Sequence, residues 1–459
     1  MDNELLGAVY SLISRADGGE KISLYECDDF LNNIPKFTGK HGILETKDFL
    51  AFLGNPDSNM KIIHVAGTNG KGSVCNYIQC VLIKAGYKVG TFTSPHLVKV
   101  TERFCVDGKP ISDGLFTEIF VETLRRVIEY GKEDFFPTYF EFLFFMGMIL
   151  YDVYPVDYLI LETGLGGRLD ATNSVEKPII SVITEIGFDH MQYLGDTIEA
   201  IAWEKAGIIK KNIPVVIFDK RKEATEVIKT EALAKDSRAI VVSRDNIENV
   251  TCGSDEAGNK YIAFSLNLLY DKYVDLKLST AALYQTENAL LAVSALEVMK
   301  NQGTEITELD IREGLISARW ECRMEEVRPG TFVDGAHNLD GIDAFLDSTA
   351  GISCEGRRLL LFGMVSDKQY SDAVREILKS GLFDGIYVSA LETLRTVSVS
   401  ELKSSFEEAK EELGIIGIPI KYYTNVRDAI TDIITARKSK DLVFAAGSLY
   451  LAGQIKEMI

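Results

Sequence analysis

Residues 62–73 read Ile-Ile-His-Val-Ala-Gly-Thr-Asn-Gly-Lys-Gly-Ser, an apolar run that breaks into a glycine-rich loop carrying one lysine and one serine. A buried strand feeding such a loop, with a helix after it, aims backbone N–H groups at phosphate oxygens. Gly67, Gly70 and Gly72 let the backbone turn and approach closely, Lys71 supplies a point charge, and the Ser73 hydroxyl can ligate Mg²⁺. The spacing Gly-x-x-Gly-Lys-Gly-Ser departs from the strict P-loop pattern, so a plain tight turn is the competing reading. The residues after the loop favour nucleotide binding. Val74, Tyr77, Ile78, Val81, Leu82 and Ala85 recur at helical spacing, and Gly86 stands where a C-terminal glycine belongs.

Three further positions could do chemistry. Tyr158–Leu161 runs straight into Glu162 and then Thr163-Gly164-Leu165-Gly166-Gly167. A carboxylate at the end of a buried strand is placed to reach a Mg²⁺ on the phosphates, or else to cap the next helix. His190, one of five histidines, stands after another strand exit at Glu185–Asp189; it is either a metal ligand or structural. Lys205 falls in the middle of an apolar stripe formed by Ile198, Ile201, Ala202, Ile208 and Ile209. A lysine facing a core tends towards the neutral amine, which can take up CO₂ as a carbamate and so become an anionic metal ligand. Alternatively its stem is buried while the ammonium reaches water or a carboxylate. Gly207 weakens the helix at that point.

The elements that would position these groups alternate. Lys61–Ala66, Val89–Thr93, Tyr158–Leu161, Ile179–Thr184 and Pro214–Phe218 are predicted as buried strands between helical patterns, which implies an α/β domain with a mainly parallel sheet. The stretch from about Arg238 to Leu278 is predicted as a small β excursion, with a helix after it near Glu287–Lys300. The polar run Asn301–Glu305 is the expected domain boundary, giving domains 1–300 and 301–459. The second part repeats the alternation with strands at Thr331–Val333, Arg358–Phe362, Gly385–Ser389, Ile418–Tyr422 and Leu442–Ala445, and a helix Val426–Arg437 capped by Asn425. Ligands of open α/β sheets bind beyond the carboxyl ends of strands, where Asp334–Asn338 and Gly447–Tyr450 are expected.

Composition bounds the partners. The 459 residues are 46% apolar and 25% charged, as in an ordinary globular protein with two or three domains. Net charge is −19, which argues against a nucleic-acid partner and leaves anionic ligands to local lysines, arginines and helix ends. The longest apolar run, Phe142–Tyr151, is too short to span a bilayer, and the acidic start Met1–Glu4 lacks a signal peptide's basic region. Seven cysteines without a Cys-x-x-Cys pair fit reduced thiols. A cytoplasmic protein with small-molecule ligands and no membrane partner is the expectation.

Taken in order, these motifs resemble the folylpolyglutamate synthase/dihydrofolate synthase family of the Mur-ligase superfamily. The carriers are Leu53–Pro56, His64–Ser73, Thr93–Leu97 with Glu102–Phe104, Glu162–Gly167, Asp189-His190 with Leu194–Thr197, Glu204–Ile208, Asp334–Asn338 and Gly447–Leu451. The resemblance implies a P-loop-type N-terminal ATPase domain, a smaller Rossmann-like C-terminal domain, and a reaction cleft between them. It implies ATP and Mg²⁺, with a monovalent cation such as K⁺ as a further candidate, and folate or dihydropteroate and L-glutamate as substrates of a monomer. It assigns Gly67, Thr68, Asn69, Gly70, Lys71, Gly72 and Ser73 to the nucleotide, and Ser73, Glu162, His190 and a carbamylated Lys205 to the metal. Asn288, Arg323 and Asp334 match ATP contacts. Asp334, His337 and Ser448 match positions near the glutamate and phosphoryl group, and Ser94, Pro95 and His96 match the loop over the pterin-bearing substrate. Lys71, Lys205 and His337 would carry the catalysis. The chain departs from the family at Trp320-Glu321-Cys322-Arg323, where Trp-Pro-Gly-Arg is common, and near Leu394-Arg395-Thr396, where a proline context is missing. A Mur ligase acting on a UDP-muramyl substrate, or a nucleotide-binding protein without catalysis, are the alternatives.

Overall fold

The computed structural model describes residues 3–34, 42–132, 135–365, 370–393 and 396–458. The chain forms two compact units, one from Met1–Ile186, Ile198–Ser243 and Leu291–Gly314, the other from Gly187–Thr197, Arg244–Leu290 and Leu315–Ile459.

The first unit is built on an eight-stranded sheet of β1 (Ile62–Ala66), β2 (Val89–Phe92), β3 (Phe104–Val106), β4 (Lys109–Pro110), β5 (Tyr158–Glu162), β6 (Ile180–Ile183), β7 (Val215–Phe218) and β8 (Ala239–Val242). Its order is β4-β3-β2-β5-β1-β6-β7-β8. The six strands from β2 to β8 in that order are parallel, and the β2-β3-β4 edge is antiparallel. Parallel strands covered on both faces must be apolar throughout, and β1, β2, β5, β6 and β7 are buried along their whole length. Every strand expected in this region is present to within two residues. The stretch from Arg238 is divided differently from expectation: β8 joins the large sheet beside β7, and only the remainder is a separate antiparallel excursion.

The apolar segment Phe142–Tyr151 lies inside the helix Tyr139–Val153, whose capping box pairs Thr138 with Glu141. This helix carries its rings into an aromatic core in which Phe49 lies 4.5 Å from Phe145 and Phe120 5.5 Å from Phe142. Burying each such side chain contributes about 2–3 kcal/mol.

The second unit begins with the antiparallel sheet of β9 (Ile247–Ser254), β10 (Lys260–Asn267) and β11 (Lys272–Leu278). The expected helix comes next in the chain at Gln285–Asn301, with Gln285–Leu290 in this unit and Leu291–Asn301 in the first. A six-stranded sheet then comprises β12 (Glu325–Arg328), β13 (Thr331–Val333), β14 (Arg358–Phe362), β15 (Gly385–Ser389), β16 (Ile420–Tyr423) and β17 (Leu442–Ala446), ordered β12-β13-β17-β14-β15-β16. It is parallel except for β12, a polar edge strand that no apolar run announces. Because β17 inserts between β13 and β14, the loops leaving β13 and β17 lie side by side, as at the switch point of a doubly wound fold. Asn425 caps the helix Val426–Ala436 through the Asp428 N–H at 2.8 Å. All seven cysteines are free. Among the described residues, no helix is long and apolar enough to cross a membrane.

Candidate active site

In the first unit β1 ends at Ala66, and the chain turns through Gly67 at φ +152° and Gly70 at φ +87° into the helix Lys71–Lys84. A side chain at Gly67 would place its Cβ 1.7 Å from Thr184 Oγ1, so only glycine fits against the end of β6. The neighbouring strand exit holds the loop. Thr68 N–H donates to the Glu185 carbonyl at 2.7 Å, and Thr184 Oγ1 donates to the Asn69 carbonyl at 2.6 Å. Gly72 and Ser73 sit in the helix's first turn, where backbone N–H groups have no intrahelical acceptor and favour an anion.

Two lysines converge on the same carbonyl oxygen. Lys71 Nζ donates to Gly67 O at 3.2 Å and to Thr68 O at 3.1 Å, while Lys205 Nζ donates to Gly67 O at 2.7 Å. Lys205 is 4% exposed, so the expectation that it faces the interior holds, but the apolar stripe is shorter than predicted. The helix runs Ile198–Ala206 and stops at Gly207, where a Cβ would lie 2.3 Å from Arg168 Cα. Ile208 and Ile209 are buried just beyond its end.

Glu162 closes β5 in register with Val65 and is 3% exposed. Its Oε2 accepts the Ser94 N–H at 3.0 Å, so it holds the loop after β2, while the next helical turn, Ala171–Ser174, is capped by Asp170. That loop carries Ser94, a cis Pro95 and His96. Glu102 accepts the N–H groups of Leu97, Val98 and Lys99 at 2.7, 3.1 and 2.7 Å. Arg103 Nε donates to His96 Nδ1 at 2.9 Å, which leaves the neutral imidazole's proton on Nε2. Burial lowers Arg103 from its ordinary pKa, and its guanidinium lies 5.6 Å from the Tyr139 ring centroid. The role of Arg103 in orienting His96 is legible only from structure, although the Glu-Arg pair marks the segment.

The remaining candidates belong to the second unit. His190 occupies the left-handed region at φ +51° at the start of the short helix Met191–Leu194. Its Nε2 lies 3.8 Å from Asp189 Oδ2, and His337 Nε2 lies 3.7 Å from the same oxygen. His337 Nδ1 is 2.8 Å from the Gly335 carbonyl, an acceptor, so Nδ1 carries the proton of the neutral ring and Nε2 keeps its lone pair. Asp334 is 3% exposed and its oxygens take protein donors: Tyr284 Oη at 2.6 Å, Met324 N–H at 2.9 Å and Ala336 N–H at 2.8 Å. Burial raises its pKa against the lowering charge of Arg323. Arg323 donates to the Cys322 carbonyl at 2.8 Å. Cys322 takes φ +53°, so the turn keeps a glycine-like conformation although the glycine common in the family is replaced. Asn288 Nδ2 donates to Gln285 Oε1 at 3.0 Å. Ser448 comes after Gly447, whose N–H donates to the Ala336 carbonyl at 2.9 Å, and its Oγ accepts the Tyr450 N–H at 3.0 Å. Leu394 and Arg395 lie outside the described residues.

Residues 147–296 match the Mur ligase middle domain and residues 318–449 the Mur ligase glutamate ligase domain. The dihydrofolate synthase/folylpolyglutamate synthase of Bacillus subtilis is 34% identical over 92% of this chain and 96% of its own length, and the Escherichia coli protein of the same name 31% over 94% of each. Among solved structures, E. coli FolC in complex with DHPP and ADP superposes with a TM-score of 0.80 at 29% identity, covering 95% of this chain and 97% of that one. Mycobacterium tuberculosis folylpolyglutamate synthase complexed with ADP and AMPPCP gives 0.82 at 26% identity, covering 95% and 98%. With relatives this similar along nearly their whole length, the chain belongs to the folylpolyglutamate synthase/dihydrofolate synthase family of Mur ligases.

Proposed function

We propose that this protein joins L-glutamate to the carboxylate of a folate, using ATP, and that it also makes dihydrofolate from dihydropteroate. The observation that carries the reading is the convergence of the glycine loop, Lys71 and Lys205 on one carbonyl, in a chain whose relatives are named for these two activities. A carboxylate repels nucleophiles and has no usable leaving group. Its oxygen attacks the γ-phosphorus, ADP leaves, and the resulting acyl phosphate is open to an amine. The glutamate nitrogen attacks the acyl carbon, phosphate departs, and the nitrogen gives up a proton.

The loop N–H groups and Lys71 hold and neutralise the phosphates, and positioning of this kind supplies most of the acceleration in phosphoryl transfer. The His337 Nε2 lone pair is assigned to receive the amine proton, with Asp189 beside it to stabilise the imidazolium. Ser94, Pro95 and His96 are assigned to the pteridine-bearing substrate, Ser448 and Asp334 to the acyl and glutamate end, and Asn288 and Arg323 to the nucleotide. The family matches fall on either side of residue 300, which supports 1–300 as the ATP-binding part and 301–459 as the glutamate-ligase part in chain order, while 187–197 and 244–290 pack within the second unit and 301–314 within the first.

Ser73, Glu162, His190 and, once carbamylated, Lys205 are the residues that would hold Mg²⁺. Ser73 and Glu162 offer hard oxygen donors on the unit that carries the glycine loop, and Mg²⁺ at phosphate sites takes one or two carboxylates plus the substrate's own oxygens rather than a protein cage. Bound there, the ion would neutralise charge on the phosphates.

Phosphate release with ATP and glutamate tests the whole reading, with dihydropteroate, tetrahydrofolate and a UDP-muramyl peptide compared as acceptors. Glutamate-dependent release with both pterin acceptors is expected, and Lys71→Ala and Glu162→Gln should each abolish it with far-UV circular dichroism unchanged. Release confined to the UDP-muramyl acceptor, or indifferent to glutamate, would refute the proposal.

A further inference from the structure

Behind the glycine loop lies a chain of buried polar groups that the reaction itself does not use. His64, on β1, and Thr172 are each 0% exposed, and Asp170 is 2% exposed. Thr172 Oγ1 lies 2.6 Å from Asp170 Oδ1, to which it must donate because a carboxylate only accepts. Its hydroxyl proton is thereby committed, so the 2.9 Å contact with His64 Nε2 runs the other way, from imidazole N–H to hydroxyl oxygen. This fixes the tautomer: His64 carries its proton on Nε2, and the bare Nδ1 has no partner. Burial, with the nearby Lys210 charge, lowers the His64 pKa to about 3, so the ring stays neutral at working pH.

The far end of the chain reaches two elements assigned to catalysis. Asp170 Oδ2 accepts the Leu165 N–H at 2.8 Å, and Asp170 N–H donates to the Gly167 carbonyl at 3.0 Å, which folds the segment after Glu162 into one turn. That turn presses on the Lys205 helix. A Cβ on Gly167 would sit 2.8 Å from the carbonyl oxygens of both Glu204 and Lys205, and Arg168 N–H donates to the Glu204 carbonyl at 2.7 Å.

We propose that His64, Thr172 and Asp170 form a positioning relay, in which an imidazole three residues before the glycine loop sets the turn after Glu162 against the backbone of Lys205. His64 is then a positioning residue for the phosphate and metal end of the reaction, an inference that rests on the roles proposed above for Glu162 and Lys205. Folding alone gives no reason for this histidine. An orphaned buried acceptor is a net cost, and a leucine of similar size would carry none. What the imidazole adds is direction: Thr172 N–H already holds Asp170 Oδ1 at 3.1 Å, and a donor aimed at the Thr172 hydroxyl oxygen turns that hydroxyl's proton onto the same oxygen, leaving Oδ2 to Leu165.

The test compares His64→Leu with His64→Gln, whose amide N–H reaches the place of Nε2–H. Turnover, half-saturating Mg²⁺ at fixed ATP, glutamate KM, melting temperature and hydrogen exchange of a peptide spanning 162–170 are measured for each. For His64→Leu, kcat is expected to fall at least about tenfold and half-saturating Mg²⁺ to rise several-fold, while glutamate KM and melting temperature stay near wild type. Exchange at Leu165 should quicken, and His64→Gln should restore most of each effect. Wild-type kcat and Mg²⁺ dependence in His64→Leu would overturn the proposal, as would a loss that glutamine does not recover. Should His64→Leu fail to fold, Thr172→Val and Thr172→Ser replace it: the valine severs the relay and the serine keeps it, so equal behaviour of the two would overturn the proposal. Absence of glutamate-dependent phosphate release in the wild type would refute the assigned function instead. The exchange of Leu165 would still decide the relay, protected in wild type and unprotected in His64→Leu if it exists, and unchanged between them if it does not.

Discussion

Two ammonium groups donating to one carbonyl oxygen lie no farther apart than the sum of their two hydrogen-bond lengths. At about 5 Å and an effective dielectric of ~20, such a pair repels by about 3 kcal/mol. The anionic phosphates relieve that repulsion when nucleotide is bound, and so does reaction of Lys205, the more buried amine, with CO₂, in which the ammonium gives up two protons and becomes an anionic carbamate. Lys205→Ala is therefore expected to lose turnover and to regain part of it in acetate, whose carboxylate can take the carbamate's place; full activity without additive would remove the carbamate from the mechanism. A second residue-scale prediction concerns acid. His64 is neutral in the fold down to about 3, whereas the unfolded chain binds its proton from about 6.5. The unfolded state thus holds more protons in that window, so this contribution to stability is intact above about pH 6.5 and is lost as pH falls towards 3, by up to roughly 4–5 kcal/mol. His64→Leu cannot take up that proton. Its melting temperature should fall less than wild type's between about pH 7 and about pH 4, and a parallel fall in calorimetry would contradict the assignment.

The glycine loop is an element whose shape is set by what lies beside it. Gly67→Ala drives a methyl into Thr184 Oγ1, the same hydroxyl that holds the Asn69 carbonyl, so the loop must leave the end of β6. Nucleotide affinity should fall at least about tenfold by titration calorimetry, since the lost geometry is the binding geometry. Gly86→Ala is the control: φ is +89° and nothing lies within 4 Å of the added carbon, so it should cost about 1–2 kcal/mol of stability and leave affinity alone. This contrast also marks what a sequence can disclose. Parallel strands such as β1, β5 and β6 were legible because burial on both faces leaves a continuous apolar run, and the capping residues Gly86 and Asn425 because their chemistry is local. β12, reading Glu-Glu-Val-Arg at an exposed edge, carries no such pattern. At the site, the glycine loop and the carboxylate of Glu162 were legible, but not their partners. The Glu162 bond to Ser94 spans 68 positions and the His64 bond to Thr172 spans 108, distances at which spacing along the chain says nothing.

At the scale of the whole molecule the governing quantity is the net charge of −19, because ATP, the folate acid and glutamate are all anions. A field of that sign repels substrates at long range, while Lys71, Lys205 and the helix beginning at Lys71 attract phosphates only at close quarters. Salt separates the two terms. Raising ionic strength from about 0.01 M to about 0.15 M shortens the Debye length from about 30 Å to about 8 Å, which screens the distant repulsion but barely touches groups in hydrogen-bond contact with the ligand. The association rate of nucleotide should consequently rise with added salt, roughly two- to fivefold, with little change in dissociation. This is the reverse of what an enzyme that steers its substrate by charge would do. Stopped-flow binding of a fluorescent ATP analogue separates the two rates directly. An association rate that drops as salt is added would mean that the lysines at the glycine loop project a positive field beyond the pocket, strong enough to reverse the molecule's overall sign where the nucleotide approaches.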